Sequence, residues 1–326
     1  MGEGTGVTPG VTRRIALVGL GNVSRLHVDA LERIAGLNVE AGVDIADGVR
    51  LAFLHRSLPV YRTVQELFQK HQVDDIIIAT PTSTHAKLCS QLFDLDGTPR
   101  ILVEKPLATE LDEVRRLLER AERSGRALDV LYHFRHAPEV LWAVERLNDV
   151  VAEHGPVTEF QSFFADPYAR LEPGERDAYV SSWIDSGINA LSLLDRLISI
   201  RKVESLRSVP GTSSSFEAQV SFVSDGREAI GHLLTTWEVG AGSKWTRLSL
   251  ASGAELVLDH TATLGRLIVR GATVEIHGWD GALTRGAARY VNLFTEVFSP
   301  GYQADVRLHK RLHALLLQRV EAVTPI

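Results

Sequence analysis

A single cysteine, Cys89, in a chain of 326 residues leaves no intrachain disulfide to form, and such usage suits a reducing compartment. Its place in a helical pattern reads as a small buried hydrophobe rather than a nucleophile. No Cys/His cluster has the spacing of a zinc site, so no metal is expected. No apolar run is long enough to cross a bilayer, and residues 1–12 lack the hydrophobic segment of a secretion signal. A cytoplasmic location is therefore the expectation, with residues 1–12, rich in Gly and Thr, as a mobile tail. Positive charge is not in excess either. The formal net charge of -6 gives no electrostatic reason to expect nucleic acid or an anionic membrane as partner.

What is present is a composition of 44% hydrophobic and 23% charged residues, enough for two ordinary domains with a core each. The stretch from Arg14 to His27 reads as strand, glycine-rich turn and helix start. Gly19 takes the tight turn, and Gly21, lacking a Cβ, lets the main chain approach a pyrophosphate at the positive end of the helix. Ser24 stands at the third glycine position of G-x-G-x-x-G, so the turn alone is a weak signal. Asp44 strengthens it, standing at the end of a second apolar run where an acid accepts the adenosine ribose hydroxyls.

Helix and strand alternate from there. The first helix carries Leu26, Ala30, Leu31 and Ile34, with Gly36 expected as its left-handed cap. A helix over Val49 to His55, a capping box at Thr63–Glu66, a strand over Val73–Ala79 and a helix over Ala86–Leu95 follow. Then come a strand over Ile101–Val103, a helix capped by Thr109 and ended by Gly125, and a strand over Ala127–Leu131. The pattern implies a doubly wound parallel sheet over residues 13–132. Pro138 opens a helix to Val151, Gly155-Pro156 breaks it, and Val157–Phe164 is a strand. A helix over Asp185–Ile198 precedes a series of short β runs from Val203 to Gly278, separated by Ser, Gly and Asp-Gly turns. Residues 133–326 thus read as an α+β domain with a large, mainly antiparallel sheet, closed by a helix over Asp305–Val320.

Ala79-Thr-Pro-Thr-Ser-Thr-His-Ala86 and Val103-Glu-Lys-Pro-Leu107, taken with the glycine turn, resemble the glucose-fructose oxidoreductase / inositol dehydrogenase / MocA-like family of nicotinamide-dependent oxidoreductases. The resemblance implies that Gly19, Gly21, Asn22 and Val23 line the pyrophosphate turn and that Asp44 meets the adenosine ribose. It places Thr80, Pro81, Thr82 and His85 along the cofactor's middle, and Glu104 and Lys105 beside the nicotinamide. In the family the lysine hydrogen-bonds the reacting oxygen, and an Asp-x-x-x-His segment adds a carboxylate and an acid/base histidine. Here Asp185 fits, and Asn189 stands where the histidine is expected. The resemblance also implies a homodimer or homotetramer formed through the free face of the second-domain sheet.

Ketone reduction needs a hydride, a donor for the carbonyl oxygen and a proton. Lys105 is suited to the second of these and, with a lowered pKa, to the third. A carboxamide at 189 holds a hydroxyl or carbonyl without exchanging a proton near neutrality. Tyr168 is the second candidate acid, with Tyr179 behind it; each also reads as a packed tyrosine with a bonded hydroxyl. His133 and Arg135 read either as substrate contacts or as a satisfied histidine and a solvated arginine, His85 as a site residue or as packing, and Asp185 as a helix N-cap or a substrate ligand. Asp44 favours NAD, while Arg50 and Arg56 leave NADP open. The leading expectation is an NAD(P)-dependent oxidoreductase acting on a sugar- or cyclitol-like small molecule. An imine or unusual-carbonyl reductase of a biosynthetic pathway, or a catalytically impaired dinucleotide-binding regulatory or scaffold protein, remains the alternative.

Overall fold

The computed structural model describes residues 12–54, 58–95, 99–279 and 281–318. The elements run β1 (Arg13–Val18), α1 (Asn22–Leu31), β2 (Leu37–Val43), α2 (Asp47–Leu54), β3 (Val60–Tyr61), α3 (Val64–Lys70), β4 (Asp75–Ile78), α4 (Thr82–Phe93), β5 (Arg100–Glu104), α5 (Leu111–Ser124) and β6 (Leu128–Leu131). After them come α6 (Pro138–His154), β7 (Val157–Ala165), α7 (Pro173–Arg176), α8 (Ile188–Leu197), β8 (Ser199–Ser208), β9 (Ser215–Ser224) and β10 (Arg227–Thr236). The chain then continues through β11 (Ser243–Leu250), β12 (Glu255–Asp259), β13 (Leu264–Val269), β14 (Ala272–His277), α9 (Arg285–Val297) and α10 (Val306–Leu317).

The described residues divide into two compact units, the first running to Leu131 and including Leu283–Lys310, the second comprising Tyr132–Ala282 and the segment from Arg311. The contiguous domains expected from the sequence are therefore corrected, because α9 returns to the first unit. Tyr290, Leu293, Phe294 and Val297 of α9 share one buried cluster with Ile15, Leu17, Val28 and Leu31, an apolar face at helical spacing that α1 alone cannot cover. The strand β8 and the helix α9 were not foreseen, nor was the two-residue β3.

In the first unit the six strands are parallel, in the order β3-β2-β1-β4-β5-β6. β4 and β6 are buried at every position, as strands covered on both faces must be. In the second unit eight strands follow the order β14-β13-β12-β11-β7-β10-β9-β8, antiparallel except for the parallel pair of β7 and β10. Both sheets match the expected fold class. The helices α6 and α8 lie against strands of this second sheet, and alternating burial along β9 leaves its other side half open.

Several local expectations change. α1 ends at Leu31 with Glu32 as its cap, and Gly36 takes its positive φ of 81° in the turn entering β2. Pro81, not a residue near Ala86, precedes α4, so Thr82 and His85 belong to its first turns. The cap of α5 is Glu110, one residue beyond Thr109, and makes no side-chain capping bond. Asp185 is no N-cap: residues Trp183–Gly187 form a π-helical turn that runs directly into α8. Cys89 is fully buried and its thiol is pushed up to about 12 by desolvation. His55, Arg56, the tail through residue 11 and the end of the last helix beyond 318 lie outside the described residues.

Candidate functional site

In the first unit the carboxyl ends of the strands carry the glycine turn. Gly19 has a φ of +87°, and a Cβ there would lie 2.6 Å from the Ala79 carbonyl oxygen, so the turn and the segment after β4 approach as only glycine allows. At Gly21, which caps α1, a Cβ would meet nothing within 4 Å. Ser24, fully buried, donates its hydroxyl to the Gly19 carbonyl; it is small enough for close helix-strand packing and bonds the turn to the helix.

A cleft of ≈ 560 Å³ opens beside this turn. Gly19, Gly21, Asp44, Thr80 and Pro81 line it together, with Arg62, Thr63 and Lys87, which the sequence reading did not assign to the site. Asn22 and Val23 are exposed at the start of α1, where the positive end of the helix dipole and free N–H groups favour an anion. Asp44 is held in place: its Oδ2 accepts from the Leu20 N–H and its Oδ1 from the Ala46 N–H, each at 2.8 Å. Each oxygen retains a second lone pair for a hydroxyl. Arg50 does fold back, donating to the Asp44 carbonyl at 2.8 Å and pairing with Asp47. Open space at Gly21, a fixed carboxylate and an apolar floor fit a dinucleotide. A basic groove of ≈ 420 Å³ between α4 and α5 is lined by none of the expected site residues.

Thr82, His85, Glu104 and Lys105 do not line the cleft. His85 is fully buried, with Nδ1 2.8 Å from the Pro106 carbonyl oxygen and Nε2 2.8 Å from that of Thr80. Glu104, at the end of β5, is also buried. Its Oε1 accepts from the Tyr290 hydroxyl at 2.6 Å and lies 2.8 Å from His27 Nε2, while its Oε2 accepts from the Lys105 N–H at 3.3 Å. His27 Nδ1 is buried with no partner among the described residues. The ring therefore carries its proton on Nε2 and donates it to Glu104, since a bare acceptor costs less than a stranded donor. Sequence reasoning missed His27 and Tyr290 as site-supporting residues. His27 was within reach, being the last residue of the quoted motif.

In the second unit Tyr168 packs against Tyr179 and Trp237, with ring centroids at 4.3 and 5.8 Å. Burial, then the nearby carboxylates of Asp185 and Asp166, push the Tyr168 hydroxyl well above the usual phenol range, so it keeps its proton and acts as a hydrogen-bond donor. Asp166 pairs with Lys244 and accepts from the Ser186 hydroxyl at 2.8 Å; neither Asp166 nor Lys244 was foreseen. Asn189, only 4% exposed, donates to the Asp185 carbonyl at 3.2 Å, and its Oδ1 is buried without a partner among the described residues. Arg135 donates to the Ser192 carbonyl at 2.7 Å and to Asp195 at 3.2 Å, which ties its turn to α8. His133 lies against Phe134, with ring centroids 4.8 Å apart.

Residues 13–132 match the model of an oxidoreductase family with an NAD-binding Rossmann fold. That stretch is similar to the Gfo/Idh/MocA oxidoreductases. Over 127 residues the chain is 31% identical to the rhizopine catabolism protein MocA of Rhizobium meliloti, a match covering 39% of each chain. Over 114 residues it is 27% identical to a myo-inositol 2-dehydrogenase of Thermotoga maritima, covering 34% of this chain and 33% of that one. These sequence matches thus span well under half of either relative. In fold, the chain is similar to an inositol dehydrogenase homolog from Azotobacter vinelandii, solved with NADH and myo-inositol, at a TM-score of 0.76, 18% identity and 94% coverage of both chains. The matched model is NAD-binding, and NAD is the cofactor class that the cleft of the first unit suits. Among the described residues there is no group of metal-binding side chains, and no helix is long and apolar enough to cross a membrane.

Proposed function

We propose that the protein transfers hydride between NAD and a carbonyl or hydroxyl carbon of a sugar- or cyclitol-like small molecule, with Lys105 assisting at the reacting oxygen. The observation that carries this reading is the dinucleotide cleft within a strand order that also presents Glu104 and Lys105 at the end of β5. NAD, when bound, supplies or accepts the hydride. Asp44 would hold the adenosine ribose, and the N–H groups of Asn22 and Val23 at the start of α1 would bind the pyrophosphate. Lys105, its main chain fixed by Glu104, donates to the oxygen and stabilises its developing negative charge. Asp185 and the spare acceptor of Asn189 orient substrate hydroxyls. Tyr168, Arg135 and His133 complete the residues assigned to the substrate, and Tyr168 serves as a donor that keeps its proton.

Asn189 favours a second reading. With a carboxamide in place of a histidine at position 189, the protein is suited to a substrate that brings its own proton, such as an iminium, or to a regulatory or scaffold role that needs binding without turnover. NADP remains an accessible cofactor alongside NAD, and the location is cytoplasmic in this reading. Val274 and Ile276 on the edge strand β14, with Ile230 on β10, expose apolar surface on the second-unit sheet, which supports a homodimer or homotetramer through that sheet.

A fluorescence titration with NADH and NADPH, followed by turnover assays with cyclitols, ketosugars and cyclic imines, tests the reading. Saturable NADH binding and turnover that falls in Lys105→Ala is the expected result. Undiminished turnover in that variant would remove Lys105 from the mechanism.

A further inference from the structure

His85 presents an unusual demand. Both of its ring nitrogens lie 2.8 Å from carbonyl oxygens, Nδ1 from that of Pro106 and Nε2 from that of Thr80, inside a fully buried pocket. A carbonyl oxygen only accepts, and a neutral imidazole has one N–H. One of the two contacts would then set a ring lone pair against a carbonyl lone pair. Turning the ring over replaces both nitrogens by carbons and satisfies neither oxygen. Only the imidazolium donates to both.

The two carbonyls belong to the segments that matter for chemistry. Thr80 lines the dinucleotide cleft directly after β4, and Pro106 follows Lys105 after β5. We propose that His85 is a positioning residue that works in its doubly protonated form, joining the Thr80 and Lys105–Pro106 segments when the dinucleotide is bound. This rests on the dinucleotide reading of the cleft. His85 thus supports the cofactor from behind, in place of the direct contact that its motif suggests.

The second proton is weakly held in the free protein. Burial pulls the ring below the ordinary histidine range, the two carbonyls and the Glu104 carboxylate push it up, and the Lys105 ammonium pulls it down. Glu104 ends β5 and Lys105 follows it. An anionic dinucleotide adds negative charge nearby and favours the imidazolium, so binding takes up a proton.

Calorimetric titration of the whole protein with NADH, in buffers of different ionisation enthalpy between about pH 6 and 8, reads that proton directly. Uptake approaching one proton per NADH is expected, with affinity rising as pH falls by at most about tenfold per unit. In His85→Gln, whose amide reaches one carbonyl at a time, uptake and pH dependence vanish. Nitrogen-15 spectra of the histidines in wild-type protein, with NADH saturating, should show His85 protonated at both nitrogens. They decide the matter even if the variant fails to fold. Binding without proton uptake and with a neutral His85 would overturn the proposal while leaving the dinucleotide site standing. No NADH binding at any pH would overturn both.

Discussion

The Tyr290 hydroxyl donates to Glu104 Oε1 at 2.6 Å across 186 positions of sequence, joining the helix that returns late in the chain to the residue preceding Lys105. With His27 on the same oxygen, it holds a buried carboxylate in one place. Tyr290→Phe leaves that carboxylate short of a donor, a loss of about 1.5–3 kcal/mol for a bond to a charged group. Thermal unfolding should register it. If the network also positions Lys105, turnover in this variant falls while NADH affinity stays near the wild-type value.

Gly19→Ala asks for both a left-handed backbone, costing roughly 1–2 kcal/mol for a residue with a Cβ, and room that is absent, with the Ala79 oxygen at 2.6 Å. We expect a folded but destabilised protein with strongly weakened NADH binding. Gly21→Ala has open space around it, so it should spare stability and lose binding alone. Equal effects on stability from the two would contradict the assignment of the open space to the cofactor.

Asp44→Ala removes a carboxylate that two backbone N–H groups hold in place. NADH should bind about tenfold more weakly, equivalent to about 1.4 kcal/mol. With the negative charge gone and Arg50 already folded onto this loop, the ratio of NADPH to NADH affinity should rise. Paired fluorescence titrations measure both, and an unchanged ratio would show that Asp44 does not select the cofactor.

The alternation of buried strands and helices was legible in the first unit because β4 and β6 are apolar or buried throughout, and the second sheet because Asp-Gly and Ser-rich turns separate its strands. α9 was legible in principle, from Thr284, whose Oγ1 accepts from Ala287 N–H, and from the spacing of Ala287, Tyr290, Phe294 and Val297. Its assignment to the first unit was not, since a helix face shows that it needs a partner without showing which one. The cleft residues Gly19, Gly21, Asp44, Thr80 and Pro81 followed from motif positions. The polar groups behind them did not: His27 and Glu104 are 77 positions apart, and nothing local marks such a pair. His85 shows the converse, a motif residue whose side chain turns to backbone carbonyls instead of the cleft.

Asn189 has a buried Oδ1 without a partner among the described residues. Asn189→His introduces a group that exchanges protons near neutrality. For a carbonyl substrate, turnover should increase, on the order of 10²-fold if the ring acts as general acid, with a bell-shaped pH profile replacing the wild-type one. For a substrate that carries its own proton, the same change should leave the rate flat or lower it. The sign of the effect therefore separates the two enzymatic readings.

Asp129, buried on β6, lies 2.8 Å from His309 Nε2 and accepts from the Tyr302 hydroxyl at 2.6 Å. Burial raises its pKa, but the His309 contact and the Tyr302 bond outweigh burial, and the net direction is downward. A carboxylate depressed on folding contributes stability above its unfolded value of about 3.9, and that contribution is lost as pH falls through the folded value. The stability gap between wild type and Asp129→Asn should accordingly be widest near neutrality and narrow as the solution is acidified below about pH 4. Denaturant unfolding of both proteins across that range measures the gap. A constant gap would mean that the charge of Asp129 contributes nothing and that its shape alone anchors Tyr302 and His309.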